Sequence, residues 1–147
     1  MAVGSELRGD DAAGILAGGA LADALAKKPP AFACQVFLGH SAPENLTGAV
    51  RQFGPTHLLV LDAAQSNAPP GGVAVLDEQM IAANASASTH SLPLAVVIDY
   101  LVELTSCKAM VIGIQPGNLE LGGGVSPAVE AAAKELAQTL AAICNQG

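Results

Sequence analysis

A run of consecutive apolar residues, Leu58-Leu59-Val60-Leu61, ends abruptly in an acidic residue, Asp62. A strand that is apolar on both faces is typical of a parallel sheet covered by helices on both sides, because each face must be buried. A carboxylate at the end of such a strand has lost water and needs a partner. Ligands of open α/β sheets bind outside the carboxyl ends of the strands. Asp62 therefore constrains the fold and is also a candidate site residue.

Helical and strand-like segments alternate along the rest of the chain. The apolar spacing predicts helices over residues 10–27, 44–53, 92–105 and 126 to about 144, with a helical turn or two at 77–83. It predicts strands over residues 32–38, 57–61, 73–76 and 109–114, and residues 1–4 could form only the tail end of a strand. This alternation predicts a three-layer α/β domain with a mostly parallel sheet. A length of 147 residues corresponds to one domain, 1–147.

The charge balance makes nucleic acid and anionic membrane poor partners for this chain. The net charge is −7, from 6 Lys and Arg against 13 Asp and Glu, and the only adjacent basic pair is Lys27-Lys28. Such a surface repels polyanions. No apolar run reaches the ~18 residues that a spanning helix needs. No signal peptide is visible, and the odd cysteine count favours free thiols in a reducing compartment. We expect a soluble, cytoplasmic protein.

Three polar residues lie just past apolar runs in separate parts of the chain: Asp11, Asp62 and His90. Residues at the carboxyl ends of parallel strands can converge however far apart they are in sequence. Two carboxylates and one imidazole make a divalent-metal site, and imidazole suits nickel, zinc and copper. Two of these residues, Asp11 and His90, also have a simpler explanation. Asp10 or Asp11 would serve as a helix cap, and His90, like His40 and His57, would be a hydrogen-bonded loop histidine.

Other motifs in the sequence give weaker signals. Gly122-Gly123-Gly124 lacks the spacing of a phosphate-binding loop and reads as a flexible loop. Ser126-Pro127 predicts a helix start, with the serine hydroxyl as cap and proline at the first helical position. No nucleophile elbow or reactive-cysteine signature is present in the sequence. These segments add no second candidate site.

Five segments of the chain, in order, carry a resemblance to a known family. They are Val3-Gly4-Ser5-Glu6-Leu7-Arg8-Gly9-Asp10-Asp11-Ala12-Ala13-Gly14, Gly39-His40-Ser41-Ala42-Pro43-Glu44-Asn45, Leu58-Leu59-Val60-Leu61-Asp62-Ala63-Ala64, Ser88-Thr89-His90-Ser91-Leu92-Pro93-Leu94 and Gly113-Ile114-Gln115-Pro116. With these, the chain resembles the hydrogenase-maturation endopeptidases, which process the large-subunit precursor of nickel–iron hydrogenases. It most closely resembles the branch that serves the hydrogenase of the formate-hydrogenlyase complex.

The resemblance implies a fold, an activity and a site. It implies a twisted sheet of about five strands between helices. It also implies removal of a C-terminal extension from the precursor after nickel insertion, by a peptidase classed with the aspartic type. Asp11, Asp62 and His90 match the positions that contact nickel, which would belong to the substrate, with no organic cofactor. Asp11 or Asp62 would act as general base, and Gly9, Thr89 and Gln115 would shape or line the substrate cleft.

The start of the chain departs from the family pattern. Family members have a strand of about eight residues before a Gly-x-Gly-Asn turn, whereas only Met1-Ala2-Val3 precedes Gly4 here, and Ser5 stands where Asn is usual. The first strand is therefore short or missing, or the true start lies upstream. Two other functions stay open: a hydrolase with its own bound metal, and an inactive chaperone that binds the precursor without cutting it.

Overall fold

Five strands form one sheet in the computed structural model, which describes residues 1–85 and 93–146. The strands are β1 (Ala2–Val3), β2 (Leu38–His40), β3 (His57–Ala63), β4 (Val73–Leu76) and β5 (Lys108–Ile114). Their spatial order is β2-β1-β3-β5-β4, and every pairing is parallel except that of β4 with β5. The predicted α/β fold with a mostly parallel sheet of about five strands is confirmed.

Helices cover both faces of the sheet. They are α1 (Ala13–Lys27), α2 (Thr47–Phe53), α3 (Glu78–Ala85), α4 (Leu94–Thr105) and α5 (Pro127–Cys144). Short 3-10 helices at Gly9–Ala12 and Pro43–Leu46 precede α1 and α2. On one face α1 and α5 pack against alternate residues of β3 and β5, such as Leu61 and Ile112. On the other face α2 and α4 pack against residues such as Leu58 and Val60. No helix among the described residues is both long and apolar enough to span a membrane.

The first strand is short, and it lies between two neighbours. The Met1 nitrogen donates to the carbonyl of Leu59 at 2.6 Å, and the Met1 carbonyl accepts from the Leu61 N–H at 2.9 Å. On the other side, the Ala2 N–H donates to the carbonyl of Phe37 at 2.8 Å. These bonds satisfy the buried backbone on both edges of β1, as a central strand requires. The strand is therefore present but much shortened.

The predicted strand over residues 32–38 is wrong, because β2 spans only Leu38–His40. A strand needs a partner to hydrogen-bond with. The partner of β2 is β1, whose two residues pair with Leu38 and His40. The short first strand therefore limits the second, and residues before 38 form no ladder of their own.

Glycine lets α1 lie very close to the sheet. A Cβ at Gly14 would overlap the carbonyl oxygens of Val3 and Leu61, and a Cβ at Gly18 would overlap the Cβ of Ala2. Gly19 differs, since nothing lies within 4 Å of its hypothetical Cβ. The close approach of α1 therefore requires glycine at positions 14 and 18 and does not require it at position 19.

We expect Gly14→Ala to lower the free energy of unfolding by about 1–3 kcal/mol, because the helix or the strands must move apart. Gly19→Ala is the matched control in the same helix. It should raise the free energy of unfolding by about 0.5–1 kcal/mol, since alanine is the better helix former. Urea unfolding of both variants measures the difference. An equal gain in stability for the two variants would contradict the close approach of α1 to the sheet.

Candidate functional site

Asp11 lies in the 3-10 helix Gly9–Ala12, between β1 and α1. Its Oδ2 accepts a hydrogen bond from the Ser5 N–H at 3.1 Å, which closes the loop of residues 5–11. The prediction that Asp10 or Asp11 caps the helix is wrong, because α1 has no side-chain cap. Its first residue follows Ala12, which already has helical dihedral angles, whereas a capping residue is normally non-helical.

Asp62 lies near the end of β3 on the face that packs against α4. Its Oδ1 accepts a hydrogen bond from the Ala63 N–H at 2.9 Å. Burial, and then the negative charge of Asp11, raise the pKa of Asp62 from 3.8 to about 7, against the opposing effect of that hydrogen bond. The two predicted carboxylates are thus close enough to repel each other. Their convergence at the carboxyl edge of the sheet follows from the fold.

A small cavity of about 20 Å³ lies beside Asp62, room for roughly one water molecule. Its lining combines this carboxyl with the amide of Asn84 and apolar side chains; among the described residues the lining is Asp62, Ala64, Leu76, Ile81, Asn84, Leu94 and Val111. A mostly apolar lining explains the strong effect of burial on the Asp62 carboxyl. It also makes the ionised form dependent on a positively charged partner.

His90 and Thr89, both predicted at the site, lie outside the described residues. Within 1–85 and 93–146, no cluster of three His, Cys, Asp or Glu side chains is placed to hold a metal ion. Asn84 and Leu94, which flank the segment that contains His90, both line the cavity beside Asp62. The roles of His90 and Thr89 stay predictions.

Asp10 has a structural role that the sequence analysis did not predict. It is completely buried, and its carboxylate accepts four hydrogen bonds of 2.6–2.8 Å, from the N–H groups of Gly117, Asn118 and Ser126 and from the Ser126 hydroxyl. Burial alone would raise the pKa of Asp10, but these bonds outweigh it and hold the pKa below 3.8. The Ser126 hydroxyl therefore bonds to Asp10 and does not cap α5, contrary to prediction, although Pro127 does occupy the first turn.

Gly9 brings the first loop against the distant loop of residues 117–124. Its φ is +54°, and a Cβ there would lie 2.6 Å from the carbonyl oxygen of Asn118. The next residue, Asp10, donates its N–H to the same oxygen at 2.8 Å. Two loops more than a hundred residues apart in sequence thus form one edge of the candidate site.

Comparison with known proteins decides the family. The family model for hydrogenase maturation proteases matches residues 20–143. The chain belongs to this family. The hydrogenase 3 maturation protease of Escherichia coli K12 is 38% identical over 116 residues, which cover 79% of this chain and 70% of that protein. A putative hydrogenase maturation protease of Methanocaldococcus jannaschii is 29% identical over 149 residues, which cover 99% of this chain and 87% of that protein.

Solved structures agree with this assignment. The [NiFe] hydrogenase maturation protease HycI of Thermococcus kodakarensis KOD1 superimposes with a TM-score of 0.84 at 30% identity, covering 97% of this chain and 88% of that one. The solution structure of the endopeptidase HycI from Escherichia coli gives a TM-score of 0.80 at 33% identity, covering 99% and 90%. The chain is therefore a peptidase of hydrogenase maturation, and its family processes hydrogenase precursors.

In this maturation protease, the buried side chain of Gln115 forms hydrogen bonds with other residues of the chain. Its Oε1 accepts from the Ser66 N–H at 2.7 Å, and its Nε2 donates to Gln65 Oε1 at 2.6 Å and to the Pro116 carbonyl at 3.2 Å. These contacts hold Gln65 and Ser66 in the segment that follows β3. Asp62 lies near the end of β3, just before this segment. The predicted contact of Gln115 with substrate stays a prediction, and the contacts present indicate positioning of that segment.

Two other histidines of the maturation protease have partners other than the carboxylate pair. His40 Nδ1 lies 3.5 Å from Glu6 Oε2 at the end of β2. His57 Nδ1 lies 3.0 Å from Thr56 Oγ1, at the start of β3 and thus at the opposite edge of the sheet. The expectation that both are ordinary partnered histidines fits these contacts.

Proposed function

We propose that this protease removes the C-terminal extension of a nickel–iron hydrogenase large-subunit precursor after nickel insertion. In this proposal the nickel belongs to the precursor, and Asp11, Asp62 and His90 contact it. The observation that carries the proposal is the placement of Asp11 beside Asp62 at the carboxyl edge of the sheet. The edge is where open α/β folds bind their ligands. Cytoplasmic location is part of the same proposal.

The electrostatics of the carboxylate pair support recognition of a cation. Near neutral pH the pKa of Asp62 lies close to the ambient pH, so in the free protein its carboxyl is protonated for part of the time. A divalent ion on the precursor would favour the ionised form of both acids. Binding would therefore release a proton from the pair. A precursor without nickel offers no such compensation, so the repulsion between Asp62 and Asp11 would remain.

The placement of two described residues, Asn84 and Leu94, supports the role of His90. Asn84 and Leu94 lie on either side of the undescribed residues and line the cavity next to Asp62. Imidazole is a good ligand for nickel, and two carboxylates leave coordination positions for ligands of the precursor. We infer a mixed ligand set, in which protease and precursor each supply part of the coordination.

The aspartic-type chemistry that we propose needs one carboxylate as general base. We assign this role to Asp62, because burial and the charge of Asp11 raise its pKa in the free protein and so make its ionised form a stronger base. Asp11 would then act chiefly on the cation, and its hydrogen bond from Ser5 keeps it in place. Because two close carboxylates titrate as a pair, pH profiles report the pair and not one residue.

The test is incubation with a purified large-subunit precursor in nickel-loaded and nickel-free forms, with mass spectrometry of the precursor. We expect loss of the extension from the nickel-loaded form only, and none with Asp11→Ala or His90→Ala. Asp23→Ala, an exposed acid on α1, is the matched control and should cut normally. Cutting of both precursor forms would refute nickel recognition.

Two other results would select the alternative functions. Tight stoichiometric metal in the purified protease, lost together with activity on chelation, would favour a hydrolase with its own metal. Binding of the nickel-loaded precursor without any cutting would favour an inactive maturation chaperone. The metal content of the purified protease identifies the first alternative, and an unchanged mass of the bound precursor identifies the second.

A further inference from the structure

Two leucines, on the loop that contains Asp11 and on the loop hydrogen-bonded to it, are the most exposed large hydrophobic residues of the described chain. Leu7 is 71% exposed and Leu121 is 79% exposed. Leu7 lies in the loop of residues 5–11 that Asp11 closes, and Leu121 lies in the loop that Asp10 holds. Exposed apolar side chains of this size contribute nothing to the core. Single exposed apolar residues are common on protein surfaces, so the case for a binding role rests on the two loops that carry these leucines.

The two loops are fixed to each other, so the leucines are presented on a defined backbone. The Gly122 N–H donates to the carbonyl of Leu7 at 2.8 Å, which places residue 121 next to the first loop. Gly122 has a φ of +73°, a turn conformation that suits glycine. The buried carboxylate of Asp10 anchors the start and the end of the second loop through Gly117, Asn118 and Ser126. Pre-ordered apolar contacts bind with a smaller loss of entropy than mobile ones.

Acidic residues flank the two leucines. Glu6 and Glu120 are the sequence neighbours of Leu7 and Leu121, and both are exposed. Most of the cations lie at the amino edge of the sheet, at the ends of α1 and α2 and the start of β5; they are Lys27, Lys28, Arg51 and Lys108. Among the described residues of the two loops, Arg8 is the one basic side chain. This surface fits an apolar group with positive charge beside it.

We propose that Leu7 and Leu121, the leucine rim, bind an apolar side chain of the precursor segment that is cut, with a basic residue next to it facing Glu120, since Glu6 already contacts His40. This inference rests on the proposed function, because the precursor is taken as the occupant. Continuity favours that occupant over a second copy of the chain: the rim lies on the same two loops that Asp10 and Asp11 hold. The rim would position the segment, and the carboxylate pair would carry out the reaction.

Steady-state cutting of a nickel-loaded large-subunit precursor tests the rim. We expect Leu7→Ser and Leu121→Ser each to raise KM by about fivefold or more, as loss of an interface anchor does, with kcat within about twofold. Leu7→Met and Leu121→Met keep the apolar contact and should restore the normal KM. Ile143→Ser, at an exposed apolar residue near the end of α5 and far from the site, is the control and should leave KM unchanged.

The outcomes separate this inference from the function on which it rests. If the wild-type chain cuts the precursor and the serine variants show an unchanged KM, the rim has no binding role and the inference is refuted. If KM rises equally in Ile143→Ser, the effect is general and the inference is also refuted. If the wild-type chain never cuts, the proposed function fails and the inference with it. A wild-type dimer that Leu121→Ser dissociates would assign the rim to a second copy and overturn the proposal.

Discussion

Asp62→Asn is expected to stabilise the fold at neutral and alkaline pH while lowering the rate of precursor cutting by about 10²-fold or more. The asparagine keeps the shape of the side chain and an oxygen that can accept the hydrogen bond from Ala63. It cannot ionise, so it removes both the charge that burial disfavours and the repulsion by Asp11. A substitution that gains stability and loses activity marks a residue kept for function.

The sign of the pH effect follows from the raised pKa of Asp62. A carboxyl with a pKa of about 7 in the folded chain and about 4 in the unfolded chain binds its proton more tightly when folded. Stability therefore falls as the pH rises from about 4 to about 7, and the full penalty applies above that range. Raising the pKa from 3.8 to about 7 corresponds to roughly 4 kcal/mol. The asparagine variant escapes this penalty, so its advantage over the wild type should grow with pH.

Urea unfolding of the wild type and Asp62→Asn at about pH 5 and about pH 8 measures that growth. Asp99→Asn, at an exposed position of α4, is the control for the loss of a carboxylate. The same variants in the precursor assay give the activity. If Asp62→Asn raised the free energy of unfolding equally at both pH values, the raised pKa of Asp62 would be contradicted. Normal cutting by the variant would show that Asp62 is not needed for catalysis.

The α/β fold was predictable because the apolar run of β3 and the alternation with helices are local signals. The span of β2 was not predictable, because the apolar residues before Leu38 suit a strand, whereas β1 pairs only as far as Leu38. The deciding fact is the two-residue length of β1, which limits pairing to Leu38 and His40. Strand length is set by neighbours, which a single segment does not reveal.

The carboxylate pair was predictable from the sequence, and the role of Asp10 was not. Asp11 and Asp62 each follow an apolar run, so the topology of a parallel sheet brings them to one edge. Asp10 bonds to residues 107 to 116 positions away. Sequence alone offers two adjacent acids before a helix and no sign of which one turns inward. Gly9 and Ser126 were noticed for local reasons, yet their contacts in the structure are with distant partners.

Asp10→Ala is expected to lower the free energy of unfolding by about 3–5 kcal/mol, because it leaves a cluster of hydrogen-bond donors without their acceptor. The donors are three backbone N–H groups and one hydroxyl, held around a completely buried carboxylate. Asp10→Asn should also be strongly destabilising, since its amide would turn N–H donors toward other donors. Asp23→Asn, at an exposed position of α1, should change the stability by less than about 0.5 kcal/mol.

The dependence of the free energy of unfolding on pH below about pH 4 offers an independent check on the role of Asp10. Its pKa is held below the ordinary 3.8, so its contribution is present above about pH 4 and is lost as the pH falls through the lower folded value. Asp10→Asn should therefore weaken the loss of stability below about pH 4 relative to Asp23→Asn. If Asp10→Asn lost stability below about pH 4 as steeply as the wild type, the lowered pKa of Asp10 would be contradicted. Asp10 anchors the loop that carries Leu121, so its substitution should also raise KM for the precursor. Measuring KM at temperatures where the variant is still folded separates loop positioning from global unfolding.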